Sequence, residues 1–145
     1  MESSFAGVWK LVSCEAVRRN GTAVSLYGRA PVGRLYYDEC GNMSVHIMRA
    51  GRQVFEGETK FGRCDGEVRA AFEGYEAYFA TYAVDTERGV IEHKVIGSLF
   101  PNWTGTIQTR FYEFGGPNRL VLSTRPGEAA PNEKTLVRLI WERLA

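Results

Sequence analysis

The chain has 145 residues, 44% of them hydrophobic, and its 18 basic and 17 acidic side chains leave a formal net charge of +1. This length and composition are typical of one globular domain with a packed core, so we expect residues 1–145 to form a single domain. The balanced charge lacks the basic surface with which proteins bind nucleic acid or anionic membranes, and neither is an expected partner.

The first part of the chain predicts three strands. Residues 7–17 alternate apolar and polar positions and are followed by Asn20 and Gly21, a strong turn signal. Residues 32–38 and 43–48 are rich in β-branched and aromatic side chains, and a tight connection joins them. These two segments therefore predict an antiparallel hairpin.

One helix is predicted after this hairpin. Residues 51–62 are polar and without period, as in a loop. Asp65 can then cap a helix, and the following apolar residues recur at helical spacing: Val68, Phe72, Tyr75 and Phe79. Gly74 can end this helix, because residues 78–85 already have the composition of a strand.

The remaining sequence predicts strands joined by turns and one polar loop, over residues 90–96, 104–114, 119–124 and 134–144. An antiparallel meander of about eight strands can close on itself and leave room inside for one small ligand. We therefore predict an all-β, eight-stranded antiparallel up-and-down barrel with one short helix inserted between strands three and four. A two-sheet sandwich is the alternative, but the short turns favour up-and-down pairing.

Two tryptophan motifs lie at the ends of the predicted barrel. Gly7-Val8-Trp9 opens the first strand and Trp141-Glu142-Arg143 closes the last, a pair that resembles the lipocalin and calycin signature. The runs AFEGY at 71–75, GSLFPNW at 97–103 and LST at 122–124 resemble the bacterial and fungal lipocalin-like domain family, and the resemblance covers nearly the whole chain. It implies a β-barrel that binds a small molecule, and it leaves the ligand and any chemistry open.

His93 is the first candidate for the barrel interior. Glu92 and Lys94 are most cheaply placed in water, so the odd-numbered residues of their strand are predicted to face inward. His93 is then either a neutral histidine satisfied by a neighbouring hydroxyl or carbonyl, or a group that contacts a ligand and transfers protons. His46 alternates with apolar residues and is predicted to face outward.

The strand over residues 104–114 carries the second set of candidates. Gln108, Arg110 and Tyr112 lie on one face, and together they suit an anionic or carbonyl-bearing ligand group if that face is inside. The alternative is an exposed face with Arg110 paired to a carboxylate, since Pro101 interrupts the alternation from the preceding strand. Trp103 lies in this interruption and either packs the turn or covers the ligand.

Most of the aromatic side chains are expected to be barrel packing, and Tyr36, Tyr82 and Trp103 are predicted to contribute to a ligand site. No metal or cofactor is predicted, because the two histidines lack a metal-ligand spacing and no glycine-rich phosphate loop is present. Cys14, Cys40 and Cys64 form no Cys-x-x-Cys pair, so we expect reduced thiols packed as small apolar side chains.

No apolar run approaches the ~20 residues that span a bilayer, and no signal region is recognised at the start of the sequence, so a cytoplasmic location is expected. The leading hypothesis is a lipocalin-like barrel that encloses one small, largely apolar organic molecule or metabolite. The predicted contacts of its polar end are His93, Gln108, Arg110 and Tyr112, with Trp103 and residues 65–75 near the mouth.

The alternative hypothesis is a cofactor-independent isomerase, cyclase or lyase acting on such a metabolite. His93 would then be the acid or base, and Arg110 would stabilise developing negative charge. A third hypothesis is a module that uses the barrel surface to form a homodimer. No nucleophile motif is recognised, so such an enzyme is expected to use acid–base or electrostatic chemistry. The expected absence of an export signal favours the enzyme somewhat, because a transport carrier has more to do outside a cell.

Overall fold

The computed structural model describes residues 4–57, 64–125 and 135–145. Parts of the predicted loops over 51–62 and 125–133 lie outside the described residues, as does Lys134, at which the last predicted strand begins. The elements are β1 (Gly7–Val17), β2 (Ala23–Ser25), β3 (Val32–Tyr37), β4 (Asn42–Met48), α1 (Asp65–Glu73), β5 (Tyr75–Asp85), β6 (Val90–Ser98), a single 3-10 turn (Pro101–Trp103), β7 (Ile107–Phe114), β8 (Arg119–Ser123) and β9 (Leu136–Arg143).

The strands form one sheet that closes on itself. Successive strands pair antiparallel in the order β1, β3, β4, β5, β6, β7, β8, β9, and β9 pairs with β1 from Trp9 opposite Arg143 onward. The short β2 pairs with the second half of β1. Closure of this kind leaves no long exposed sheet edge. The prediction of an all-β, eight-stranded antiparallel barrel with one short helix is confirmed, and the sandwich alternative is wrong.

The helix lies between the fourth and fifth strands, so its predicted place between the third and fourth is wrong. The difference is due to β2, whose three residues are all exposed and therefore lack the apolar alternation that marks a strand. The predicted cap is also wrong, since Asp65 is the first helical residue and Cys64 holds the cap position without a side-chain hydrogen bond. In the described residues, no helix is long and apolar enough to cross a bilayer.

The alternation of side chains along the strands determines what fills the barrel. In β6 the side chains of Ile91, His93 and Val95 are buried and Lys94 is exposed, as predicted. In β7 the side chain of Ile107 is 56% exposed on the outside, which places Gln108 and Arg110 on the inner face. The sequence did not decide which face of β7 points inward, and the structure shows that it is the face with Gln108 and Arg110.

One end of the barrel is filled by aromatic packing. Trp9 is fully buried, and its Nε1 donates a hydrogen bond to the carbonyl oxygen of Phe5 at 2.8 Å. The Phe5 ring packs edge-on against Tyr112 and Phe114, with centroids 5.0 Å and 4.9 Å away. These rings occupy the interior at this end, which is called the Trp9 end below.

Arg143 covers the Trp9 end from outside. Its guanidinium lies 4.2 Å from the centroid of the Trp9 ring, a cation–π contact, and it donates hydrogen bonds to three carbonyl oxygens, those of Ser4, Ala6 and Pro117. Gly7 has φ +135°, and a Cβ there would overlap the carbonyl oxygen of Ala145. The Gly-x-Trp motif therefore needs glycine because the chain ends approach each other closely at this point.

Candidate functional site

A cavity of about 310 Å³ lies inside the barrel, and neither Phe5 nor Trp9 lines it. Binding sites for small organic molecules span roughly 300–1,000 Å³, so this cavity is of a size for a molecule with one or two rings. It is the space that the aromatic packing of the Trp9 end leaves unfilled.

The cavity has two chemically different walls. The apolar wall comes mainly from β3, β4, β8 and β9 and includes Leu35, Val45, Ile47, Leu122, Leu139 and Trp141. The polar wall comes from β5, β6 and β7 and consists of Glu76, Tyr78, His93, Gln108 and Arg110. A ligand that fits both walls has an apolar body and polar atoms along one side.

His93 holds the centre of the polar wall between two tyrosines. Its Nε2 is 2.7 Å from the hydroxyl of Tyr37, and its Nδ1 is 2.7 Å from the hydroxyl of Tyr78. Burial, and secondarily the nearby charge of Arg110, lowers the pKa of His93 from 6.5 to about 3. The imidazole is therefore neutral near pH 7, in agreement with the first of the two sequence interpretations.

The two tyrosines keep their protons. Burial raises the pKa of Tyr37 well above its ordinary value and also raises the pKa of Tyr78. Neither residue is among the site residues predicted from the sequence. Parity places each of them inside the barrel, but only the pairing of β3, β4, β5 and β6 brings both hydroxyls to one imidazole.

Arg110 is the basic member of the polar wall. Its Nη1 donates to the carbonyl oxygen of Thr109 at 2.9 Å, and its Nη2 lies 3.5 Å from Oε1 of Gln108. Within the described part of the chain, no carboxylate lies within 4.0 Å of its guanidinium. The alternative of an exposed Arg110 paired to a carboxylate is therefore wrong.

Gln108 connects Arg110 to the turn before β7. Its Nε2 donates to Oγ1 of Thr106 at 2.8 Å, and this hydroxyl donates to the carbonyl oxygen of Trp103 at 2.6 Å. The chain of hydrogen bonds fixes the amide so that its Oε1 is turned toward the guanidinium. Gln108 thus orients Arg110 and lines the cavity itself.

Trp103 and Tyr27 lie at the side of the cavity opposite to the Trp9 end. The Trp103 ring packs edge-on against Tyr78, with centroids 5.8 Å apart, and Phe100 packs behind it at 5.7 Å. Tyr27 is the one described non-glycine residue with a positive φ, at 59°. A small adjoining cleft is lined by Tyr27, Phe100 and Phe72 of α1, so the helix lies beside this side of the barrel.

Glu76 is the acidic member of the polar wall. Burial raises the pKa of its carboxyl group, while a hydrogen bond from the backbone N–H of Ala77 and the charge of Arg110 act in the opposite direction. The same carboxylate helps to raise the pKa of Tyr27 to about 12, although burial is the larger cause. Tyr27 is therefore also a protonated hydroxyl near neutral pH.

Three of the predicted site residues do not line the cavity. Tyr36 has the outward parity of β3 and is 41% exposed, with its ring beside His46, which is exposed as predicted. Tyr82 faces inward but packs on Tyr37, and its hydroxyl donates to the carbonyl oxygen of Asp38. Tyr112 packs on the aromatic rings of the Trp9 end, outside the cavity lining. The others, His93, Trp103, Gln108 and Arg110, do line it.

The cysteines occupy two different environments. Cys14 is buried in the cavity wall, and burial raises the pKa of its thiol to about 12. Cys40 and Cys64 are exposed, so the expectation that they pack as apolar side chains is wrong for both. No group of three or more His, Cys, Asp or Glu side chains that could hold a metal ion is found in the described ranges.

The closed barrel and its two-walled cavity define a small-molecule-binding β-barrel. The model of the lipocalin-like domain family matches residues 6–144, and the chain belongs to this family. The resemblance noted in the sequence is confirmed.

Two further similarities were found. The 4'-hydroxy-3'-methoxypropiophenone carrier protein ppsC of Aspergillus oryzae is 36% identical over 89 residues, which cover 57% of this chain and 78% of that protein. The structure of a redesigned β-barrel superposes with a TM-score of 0.46 and 9% identity, covering 99% of this chain and 95% of that chain. The second similarity bears on neither the family nor the function. The family and the carrier relative both indicate binding of a small molecule.

Proposed function

We propose that the chain binds one small, largely apolar organic molecule in the barrel cavity and carries it, with an oxygen atom of the ligand held against Arg110. The observation that carries this proposal is the guanidinium in the cavity wall, which has no carboxylate within 4.0 Å in the described residues. Glu76 lies on the same wall and interacts with Arg110 only at longer range. A partly buried guanidinium with no carboxylate in direct contact is costly, and a carbonyl, ether or phenol oxygen of a ligand would lower that cost.

The ligand class is an oxygenated aromatic metabolite. The relative from Aspergillus oryzae is named as the carrier of 4'-hydroxy-3'-methoxypropiophenone, an aryl ketone whose single ring carries a hydroxyl, a methoxy and an acyl group. A flat ring of this kind suits the apolar wall, and its oxygens suit a wall that contains Arg110, Gln108 and His93. The volume of about 310 Å³ agrees with one such molecule.

Trp103 has the role of a cover over the bound ring. It lines the cavity at the side where α1 lies, and its ring is already set edge-on to Tyr78. An aromatic ligand beside Trp103 would gain edge or stacking contacts worth about 0.5–1.5 kcal/mol beyond burial of its area.

The first experiment is a titration with 4'-hydroxy-3'-methoxypropiophenone, followed by calorimetry and by tryptophan fluorescence. We expect one molecule per chain and quenching of Trp103 and Trp141, which both line the cavity. Arg110→Met should weaken binding at least about tenfold, equivalent to about 1.4 kcal/mol. The matched control is Arg138→Met, because Arg138 is an exposed arginine on the outside of β9. Binding by Arg110→Met within about twofold of the unmodified protein would count against the proposal.

An enzyme is the second candidate, in the form of a cofactor-independent isomerase, cyclase or lyase. The observation that favours it is the line of proton-bearing groups in the cavity wall formed by Tyr37, His93 and Tyr78. Both nitrogens of His93 are occupied by tyrosine hydroxyls, so a proton would pass to or from a substrate through Tyr78. Arg110 would stabilise negative charge that develops on the substrate.

Mass spectrometry distinguishes the two candidates. The protein is incubated with a metabolite extract, recovered and analysed for retained small molecules and for new products. A compound recovered unchanged supports the carrier, and one recovered as a new product supports the enzyme. For the enzyme we expect His93→Gln to retain binding and lose turnover, whereas a carrier has no turnover to lose.

A further inference from the structure

Across residues 4–57, 64–125 and 135–145, the hydroxyl of Tyr37 has one hydrogen-bond acceptor within reach, Nε2 of His93. It lies 2.7 Å from Nε2 of His93, its side chain is 2% exposed, and it has no second hydrogen-bond partner in the described part of the chain. Its other contacts are ring contacts, with Phe5 and Tyr82. A buried O–H without an acceptor costs about 1–3 kcal/mol. The hydroxyl of Tyr37 therefore donates a hydrogen bond to His93, and Nε2 is the acceptor.

This donation determines the tautomer of His93. A neutral imidazole has one protonated nitrogen and one acceptor nitrogen. The ring is neutral because burial strongly disfavours its charged form. Since Nε2 accepts, the proton is on Nδ1, and Nδ1 donates to the hydroxyl oxygen of Tyr78 at 2.7 Å.

The tautomer in turn leaves the hydroxyl proton of Tyr78 without an acceptor among the described residues. The hydroxyl of Tyr78 cannot donate to a nitrogen that is itself protonated, and no other hydrogen bond of this hydroxyl exists among the described residues. Tyr78 lines the cavity on the same wall as Arg110. Its O–H is therefore available to a molecule inside the barrel.

We propose that Tyr78 is the hydrogen-bond donor that selects the ligand, and that it selects a neutral carbonyl compound, with Tyr37 and His93 as the residues that orient its proton. The ligand class rests on the proposed function, because it assumes that the cavity is the binding site. Arg110 supplies further N–H donors on the same wall. A ligand with a carbonyl oxygen satisfies these donors, and an analogue with a methylene group in its place leaves them unpaired.

The tautomer is tested without any ligand. The chain contains two histidines, so His46→Gln leaves His93 as the single imidazole. This substitution is on the exposed outer face of β4. Long-range proton–nitrogen NMR correlations of the isotope-labelled variant should show a protonated Nδ1 and an unprotonated Nε2 at neutral pH. The opposite tautomer, or rapid exchange between the two, would overturn the inference and leave the proposed function untouched.

The selection is tested with a pair of ligands. The probes are 4'-hydroxy-3'-methoxypropiophenone and the compound in which a methylene group replaces its carbonyl group. We expect the unmodified protein to prefer the ketone by about tenfold or more, and Tyr78→Phe to reduce the preference to about threefold or less. The matched control, Tyr36→Phe, removes an outward-facing hydroxyl and should keep the full preference. An unchanged preference in Tyr78→Phe would refute the assignment.

Tyr37→Phe tests the orienting role. Tyr37 does not line the cavity, so a purely structural role predicts equal weakening of both probes. Without its donation both tautomers of His93 become possible, and we expect the preference for the ketone to fall between that of the unmodified protein and that of Tyr78→Phe. The NMR correlations of Tyr37→Phe in the His46→Gln background should show the change of tautomer directly. If neither probe binds the unmodified protein, the proposed function and the ligand class both fail, while the tautomer is still decided by NMR.

Discussion

The Trp9 end and the cavity each contain a buried tryptophan and an arginine, but the two pairs differ in how fully their donors are used. Trp9 donates to the carbonyl oxygen of Phe5, and Arg143 donates to three backbone carbonyl oxygens. In the cavity, Nε1 of Trp141 has no hydrogen-bond partner and Arg110 has no carboxylate partner among the described residues.

This difference indicates that the Trp9 end contributes mainly to the stability of the barrel and the cavity mainly to ligand binding. Satisfied donors and packed rings stabilise the Trp9 end. In the described part of the chain, the buried side-chain polar atoms without a hydrogen-bond partner are Ser98 Oγ and Trp141 Nε1, and neither belongs to this end. The cavity keeps unused donors, which lower the stability of the free protein and raise its affinity for a molecule that can accept from them. Changes at the two regions should therefore have opposite consequences.

The largest expected effect comes from Trp9→Ala. Trp9 is fully buried, and loss of such a ring costs about 3–5 kcal/mol of unfolding free energy. Urea denaturation measures this loss. The fraction that stays folded should bind 4'-hydroxy-3'-methoxypropiophenone within about twofold of normal, since Trp9 does not line the cavity. A large loss of affinity in the folded fraction would contradict the separation of the two regions.

The same substitution should affect stability differently at the two arginines. Arg143→Met removes charge-assisted hydrogen bonds to three carbonyl oxygens, and we expect a loss of about 2–3 kcal/mol in unfolding free energy. Arg110→Met removes a partly buried charge that has no carboxylate within 4.0 Å among the described residues, and it should leave stability within about 0.5 kcal/mol or raise it. Thermal and urea unfolding of both variants measure the difference. Equal destabilisation would show that Arg110 is satisfied within the free protein.

Acid should destabilise the protein through His93. The unfolded chain has a histidine pKa of about 6.5, whereas burial lowers the folded value to about 3. Between these values the unfolded state binds a proton that the folded state does not, so stability is full above pH 6.5 and falls as the pH is lowered. At about 1.36 kcal/mol per unit, lowering the pH from about 6.5 to about 5 should cost about 2 kcal/mol.

Urea denaturation across this pH range checks the effect against His93→Gln, which has no imidazole at this position. Glu76 acts in the opposite direction, because its raised pKa favours the protonated carboxyl group in the folded state. This contribution is common to both proteins and cancels in the difference between their profiles. Identical profiles would mean that His93 is not the group responsible.

The smallest expected effect lies outside both regions. Gly97→Ala would place a Cβ 2.6 Å from the Phe79 ring on the outer face of the barrel. The ring is 54% exposed and can move away, so unfolding free energy should change by no more than about 0.5 kcal/mol and ligand affinity should be unchanged. A loss above about 1 kcal/mol would show that Phe79 is fixed and that the outer face contributes to stability.

Several features of the site follow from the sequence by strand parity alone. Glu92 and Lys94 identify the outer face of β6 and so place His93 inside, and the structure agrees. The same reasoning fails for β7, because the turn at Pro101–Trp103 breaks the alternation between the two strands. For Tyr82 and Tyr112 parity gives the correct inward direction, but it does not show that they contact a ligand. Both lie at the end of the barrel that other rings already fill.

The sequence by itself therefore determined the closed barrel, its family and the inward position of His93, because alternation, turns and local motifs are properties of neighbouring residues. The tertiary structure decided which hydroxyls meet that histidine. Tyr37 and Tyr78 are 56 and 15 residues away from it in the chain, and only the register of the closed sheet brings them together. The same register decided that one end is filled and that a cavity remains beside Arg110, since packing in a closed barrel depends on all of its strands at once.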